Sequence, residues 1–331
     1  MLVATDVSNS AMIAVRDCMG VRPDERVLVV TDTVRKDIGL PLFHAALELG
    51  CDAILMEMMP RERSGEEPPR AIAHAMLHSD VVLAATRVSL SHTQARKEAC
   101  RNGARVASIP IQDEDHDLVM NVFATGGMTA DYPAMDRQID RLISRLKKVR
   151  EVRVSTGLGT DIRFTVGDRE WHEDTGIAHE PGEFTNLPGG EVFIAPYNAS
   201  GTIVIDGSFG DFGLLNYPLK LSIKDGYCIR ADGDHENDLE SIFELLGHNA
   251  RNVAELGIGM NPKARLCGIL LEDEKVGRTI HVALGNNIGF GGDVSVQMHY
   301  DGIVTNPAVF IDGERLDLDE YLRTPVKAKL K

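Results

Sequence analysis

The sequence predicts an α/β N-terminal domain with a mainly parallel sheet over residues 1–150, followed by a mainly β (α+β) domain over residues 151–331. Two observations lead to this prediction. Before Arg150, short apolar runs alternate with segments of helical periodicity, which is typical of a parallel sheet covered by helices. After Arg150, short runs of alternating hydrophobicity are separated by glycines, which is typical of antiparallel strands.

In the first half, strands and helices are predicted in alternation. The strands are apolar runs at 25–30, 52–57, 80–84 and 105–109. The helices cover 39–49, 69–77, 92–102 and 131–149, and glycines directly follow the first and third of them. In the second half, one helix is predicted at 236–246, and strands are predicted at 151–154, 162–166, 190–195, 201–206, 219–224, 227–231, 279–284 and 294–299.

Composition excludes several classes of protein. There are 35 basic and 50 acidic residues, a formal net charge of −15, which argues against binding to nucleic acid or to an anionic membrane surface. No apolar run approaches the roughly 20 residues that a bilayer-spanning helix needs. The five cysteines are scattered and form no CxxC pair, so we expect a cytoplasmic protein without disulfides. The GxxxxGK(S/T), HExxH and GxSxG motifs are absent from the sequence, and the glycine-rich stretches at 257–259 and 289–292 are better explained as tight turns than as phosphate loops.

Five residues of the second half predict a metal site. His299 and Asp301 are two apart on a predicted strand and therefore share one face. His281, Glu191 and Glu255 all lie within apolar segments. A single histidine of this kind is more often a hydrogen-bonded core residue. Buried glutamates, however, are rare unless they are paired or bind metal, so a shared site explains the whole set better.

The charges of this set suit two divalent ions. Three carboxylates and a hydroxide would neutralise the two ions, and mixed imidazole and carboxylate ligands suit zinc first, with cobalt, manganese or iron as alternatives. A two-ion site generates a hydroxide nucleophile and polarises a carbonyl group. The sequence therefore predicts a hydrolase.

Four stretches resemble the aminopeptidase T family of metallo-aminopeptidases: NLPGGEV at 186–192, AELGIG at 254–259, HVALG at 281–285 and HYD at 299–301. The resemblance implies that the five residues named above hold two catalytic ions. It also implies a homodimer that cleaves N-terminal residues from small peptides or related amides, as a leucyl aminopeptidase does. One position departs from the family, because Ile288 replaces a tyrosine thought to assist catalysis. Tyr300 is close in sequence, but alternation points it away from the face of His299 and Asp301, which leaves Tyr197 and Tyr217 as candidate substitutes.

The sequence also resembles the 2,5-dihydroxypyridine dioxygenases, which bind one iron through two histidines and an aspartate. His299 and Asp301 match two of those ligands, and Glu255 stands where that family has its first histidine. His281 could complete a triad, but Glu191 and Glu255 would then have no role. This consideration favours the hydrolase over the ring-cleaving dioxygenase, and a non-catalytic metal-binding relative is a third alternative.

Two further pairs are weaker candidates for functional residues. Glu274 and Lys275 belong to a charged run just before the predicted strand of His281, and they are predicted to support the metal ligands or contact substrate. His92 and Arg96, four residues apart at the start of a predicted helix, are predicted to bind substrate from the first domain. A solvated turn and a surface pair, respectively, are the alternatives.

Overall fold

The structure, a computed structural model, describes residues 4–323 of the chain. The chain forms two compact units. Among the described residues, the first comprises 4–136 together with Asp174–Gly189, and the second comprises Arg137–Glu173 together with 190–323. The border predicted near Arg150 therefore lies inside the second unit, and a segment of the predicted second domain belongs to the first unit.

The first unit contains a five-stranded parallel sheet in the order β2-β1-β3-β4-β8. Its strands are β1 (Arg26–Asp32), β2 (Asp52–Met58), β3 (Val81–Ala85), β4 (Arg105–Ser108) and β8 (Phe184–Asn186). The first four confirm the predicted strands to within two residues. Strand β8 was not predicted, because three residues carry no readable periodicity.

Helices pack on both faces of this sheet. They are α1 (Ala4–Met12), α2 (Lys36–Glu48), α3 (Arg70–Leu77), α4 (Gln94–Arg101) and α5 (His116–Thr125), and α6 (Tyr132–Leu146) crosses the border between the units. A π-helical turn, Ile13–Cys18, extends α1. Helices α1, α2 and α5 contact one another, and α3 contacts α4. The α3–α4 layer covers alternate strand residues such as Leu28 and Val30, as the period of a strand requires.

The second unit contains two sheets. The larger has the order β12-β11-β10-β6-β5-β16-β17, and all its pairs are antiparallel. Its strands are β5 (Glu151–Ser155), β6 (Asp161–Thr165), β10 (Asn198–Ile205), β11 (Leu219–Lys224), β12 (Tyr227–Gly233), β16 (Ala308–Ile311) and β17 (Glu314–Leu316). The helices of this unit are α7 (Glu236–Leu246), α8 (Leu270–Asp273) and α9 (Leu318–Leu322).

The smaller sheet has the order β15-β14-β13-β9-β7, and its pairs from β15 through β9 are antiparallel. Its strands are β7 (His172–Asp174), β9 (Glu191–Ile194), β13 (Val253–Gly259), β14 (Ile280–Gly285) and β15 (His299–Val304). The strand predicted at 294–299 is wrong, because the strand begins where that prediction ends. The residues before His299 form a loop, in which Asn287 accepts hydrogen bonds from the backbone N–H groups of Val294 and Gly292.

The five cysteines are all free thiols. Within residues 4–323, no helix combines the length and the apolar character that a membrane crossing requires.

Candidate metal centre

The five predicted metal ligands lie together on one face of the smaller sheet of the second unit. Glu191 comes from β9, Glu255 from β13 and His281 from β14, while His299 and Asp301 come from β15. These strands are neighbours in the sheet, and residues two apart on a strand point to the same side. The sheet therefore converts five scattered sequence positions into one cluster.

Small residues between the ligands leave room for their side chains. Gly257 is the register partner of His281, and a Cβ placed on Gly257 would lie 1.8 Å from His281 Nε2. Ala283 is the register partner of both Glu255 and Asp301. The imidazole of His281 therefore occupies the space that any larger residue at position 257 would fill.

Each imidazole contacts two carboxylates. His281 Nε2 lies 3.3 Å from Glu191 Oε2 and 3.3 Å from Glu255 Oε1. His299 Nε2 lies 3.3 Å from Glu255 Oε2 and 3.5 Å from Asp301 Oδ2. Glu255 thus directs one oxygen toward each histidine.

The donor set fits a metal ion. Among the described residues, two groups of three have ligand atoms within 4.8 Å of one another: Glu191 with Glu255 and His281, and Glu255 with His299 and Asp301. Neither group combines the two histidines, as the triad of two histidines and Asp301 would require. Asp301 Oδ1 is buried without a hydrogen-bond partner among the described residues, and Glu191 Oε2 has only its 3.3 Å contact with His281, which is costly for a buried carboxylate unless a cation lies nearby.

The two groups differ in their exposure. The His299 side chain is 32% exposed, whereas that of His281 is 1% exposed. His299 Nδ1 lies 2.8 Å from the carbonyl oxygen of Asn286 and donates to it, so Nε2 is the nitrogen left to bind a metal. A small molecule from solvent can therefore approach the group that contains His299, while the other group is closed.

The cluster perturbs the pKa values of its members. Burial alone would lower the pKa of His281, but the hydrogen bond to Glu255 and nearby carboxylate charges outweigh it and raise that pKa to about 9. The pKa of His299 is raised well above its usual value, because Asp301 and Glu255 likewise outweigh burial. Burial acts to raise the pKa of Glu255, but hydrogen bonds from the two imidazoles bring it down to about 2. Without a bound ion, the histidines therefore hold protons at neutral pH.

Metal binding is expected to release protons and to tighten as the pH rises toward 9. The reason is that an ion must displace the protons that His281 and His299 retain through their raised pKa values. Calorimetric titration of the chelator-treated protein at pH 7, in two buffers of different ionisation enthalpy, measures this release. Binding heats that do not change with the buffer would contradict the expectation.

Glu274 and Lys275 lie beside Glu191. The ammonium Nζ of Lys275 is 2.5 Å from Glu191 Oε1 and 2.7 Å from Glu274 Oε1, and the residue is 0% exposed. Burial, the largest effect, raises the pKa of Glu191 to about 8 although Lys275 acts to lower it. Glu274 and Lys275 thus lie against the buried ligand group, which is Glu191 with Glu255 and His281. Their functional role stays a prediction.

His92 and Arg96 both belong to the first unit. Helix α4 begins at Gln94 with Thr93 as its N-cap, two residues after the predicted start, so His92 precedes the helix. Arg96 donates to the carbonyl oxygen of Ser91 at 2.6 Å, and its guanidinium lies 4.5 Å from the centre of the Phe184 ring. These contacts hold Arg96 within the first unit, and substrate binding by the pair stays a prediction.

Tyr300 does not supply a proton donor on the ligand face. Tyr300 donates to Asp211 at 2.8 Å, and burial, aided by this bond, raises its pKa further above the ordinary value. It alternates with His299 and Asp301 along β15 and so points to the opposite face. Tyr197 and Tyr217 are each 58% exposed. Ile288, at the position of the family tyrosine, is 57% exposed.

Sequence reasoning missed an aromatic group beside the ligands. The ring of Phe290 lies 5.9 Å from that of His299 and 5.5 Å from that of Phe193, with edge-to-face geometry in both pairs. Phe193 is two residues from Glu191 on β9, and this spacing on a strand was the available signal. Phe290 follows a loop that carries no periodicity and could not be placed.

The fold and this cluster define a protein with a parallel α/β unit and an antiparallel unit whose imidazoles and carboxylates are grouped as a metal site requires. Residues 11–319 match the family model described as NicX: 2,5-dihydroxypyridine 5,6-dioxygenase, and the chain belongs to this family. The 2,5-dihydroxypyridine 5,6-dioxygenase of Pseudomonas putida KT2440 is 24% identical over 204 residues. That match covers 56% of this chain and 58% of the relative, so it spans less than two thirds of the relative's length.

Solved structures show the same fold. The 2,5-dihydroxypyridine dioxygenase from Pseudomonas putida KT2440 superposes with a TM-score of 0.80 at 17% identity, covering 98% of this chain and 100% of the other. AmpT from Thermus thermophilus gives a TM-score of 0.68 at 15% identity, covering 94% and 97%. The similarity to aminopeptidase T is therefore confirmed for the fold, while the family is that of the dioxygenase.

Proposed function

We propose that the protein is an iron-dependent dioxygenase that opens a hydroxylated N-heteroaromatic ring of the 2,5-dihydroxypyridine type. The family match over residues 11–319 carries this proposal. It reverses the preference for a hydrolase that the ligand types alone suggest.

The ligand group that contains His299 supports a single ion. Glu255, His299 and Asp301 would hold it, and two carboxylates offset the charge of a divalent ion while imidazole is a good ligand for iron. Bound iron would supply the one-electron and oxygen chemistry that ring opening needs. Asn286 keeps the Nδ1 proton of His299 in place, which orients the ring.

The aromatic pair would position the substrate ring. Phe290 lies beside the exposed ligand His299, and Phe193 supports it from the neighbouring strand β9. Offset or edge-to-face contact between aromatic rings stabilises such an arrangement. A flat aromatic substrate is therefore better matched to the rings of Phe290 and Phe193 than an aliphatic chain.

Oxygen uptake tests the proposal. Chelator-treated protein reloaded anaerobically with iron(II) is expected to consume one O₂ per molecule of 2,5-dihydroxypyridine, with loss of the ring absorbance. Zinc-loaded protein is the control and is expected to be inactive, because zinc has no redox chemistry. Iron-loaded protein that bound one ion per chain and consumed no oxygen with this compound or other hydroxylated pyridines would contradict the assignment.

One observation favours a second candidate, a two-metal aminopeptidase or related amide hydrolase. Glu255 belongs to both ligand groups, so it could bridge two ions. Glu191, His281, His299 and Asp301 would complete the two sites, and zinc or cobalt would polarise the scissile carbonyl. Anaerobic release of leucine from a leucyl amide by zinc- or cobalt-loaded protein would favour this candidate. A fully loaded protein without either activity would instead fit a metal-binding relative.

A further inference from the structure

The buried ligand group differs from the group that contains His299 because it contacts a lysine side chain. Lys275 Nζ lies 2.5 Å from Glu191 Oε1, and the side chain is 1% exposed. The same ammonium lies 2.7 Å from Glu274 Oε1. The exposed group, Glu255 with His299 and Asp301, has no lysine or arginine contact among the ion pairs of the described residues.

This ammonium changes the charge that each group offers to a metal. Glu255 and Asp301 together carry −2, which a single divalent ion neutralises. Glu191 shares the ammonium of Lys275 with Glu274, and a divalent ion on the second oxygen of Glu191 would be repelled by that nearby ammonium. Repulsion of this kind is strong in a water-poor interior. Glu191 therefore cannot bind a metal ion as tightly while it contacts the ammonium of Lys275.

We propose that Lys275 takes the place of a second metal ion, so that the chain binds one ion, at Glu255, His299 and Asp301. The proposal rests on the one-ion site of the proposed function and gives Glu191 a role within it. Glu191 links the ammonium to His281, and His281 in turn contacts Glu255 Oε1. Lys275 is accordingly a positioning residue that sets how many ions bind.

The number of bound ions tests this inference without any activity assay. Equilibrium dialysis of the chelator-treated chain against cobalt(II), followed by elemental analysis, is expected to give one ion per chain for the natural sequence. Lys275→Met is expected to give two, with the second ion binding at least about tenfold tighter than any second ion does to the natural sequence. Lys220→Met, which removes an exposed lysine on β11, is the matched control and is expected to leave one ion.

Two results with the natural sequence and the single variant would overturn the inference. One is binding of two ions of similar affinity to the natural sequence; the other is a folded Lys275→Met variant that still binds one. Lys275→Met leaves Glu191 and Glu274 buried without their cation and can therefore impair folding. The double change Lys275→Met with Glu274→Gln preserves the net charge, and it too is expected to bind two ions. A single ion in this folded variant would also refute the role of Lys275.

These outcomes are independent of the reaction catalysed. A failure to consume oxygen would refute the dioxygenase assignment and leave the ion count unchanged. An ion count of two in the natural sequence would refute the role of Lys275 whatever substrate is found.

Discussion

Replacing Glu255 with glutamine is expected to leave the protein without bound metal and without oxygen uptake. Glu255 is the one residue common to both ligand groups, and an amide offers a weaker, uncharged ligand in place of a carboxylate. Changes that only support a ligand typically cost 10–100-fold in metal affinity, so loss of this ligand should cost more than about 100-fold. Elemental analysis after dialysis and oxygen-uptake rates measure the two effects.

Glu191→Gln is the matched comparison for that experiment. Glu191 belongs only to the buried group, so the one-ion site should keep its metal and its oxygen uptake. A two-ion hydrolase predicts the opposite, namely loss of metal and of turnover when Glu191 is removed. Metal retained in Glu255→Gln would contradict the site itself, and metal lost from both variants would favour the second candidate.

Gly257→Ala is expected to displace His281 and to weaken metal binding by at least about tenfold, because that imidazole holds Glu255 Oε1. The added Cβ would lie 1.8 Å from His281 Nε2, closer than any van der Waals contact permits. Overpacking of this kind commonly costs about 1–3 kcal/mol of the free energy of unfolding. Denaturant unfolding and metal titration of the variant measure both effects.

Gly157→Ala provides the control for the glycine substitution. A Cβ at Gly157 would meet no atom within 4 Å, so its addition should change neither stability nor metal binding appreciably. If Gly257→Ala had the same stability and metal affinity as the natural sequence, His281 would not be held where the structure places it.

Much of the first unit could be predicted, because its strands and helices have strong local periodicity. Strands β1 to β4 follow apolar runs, and glycines mark the ends of helices. Strand β13 was not predicted as a strand, since Val253–Gly259 is buried throughout and shows no alternation. The sequence also did not indicate that residues 174–189 belong to the first unit, because the short strand β8 in this segment is recognisable only once it pairs with β4.

The candidate ligands were predictable for a similar reason. His299 and Asp301 are two apart on a strand, and Glu191, Glu255 and His281 are polar residues within apolar segments. Such local patterns indicate that a charged group is buried, and burial demands a partner. They do not indicate which partner each group finds.

The sequence by itself determined the alternation of strands and helices in the first half, the change to short strands in the second, and the residue types that a metal centre needs. Tertiary structure decided that Glu255 lies between the two histidines and that Lys275 reaches Glu191. The physical reason is that periodicity acts between neighbours in the chain, whereas strand register and the distances between side chains arise from pairing of segments far apart in it. The number of ions that the site can hold depends on those distances.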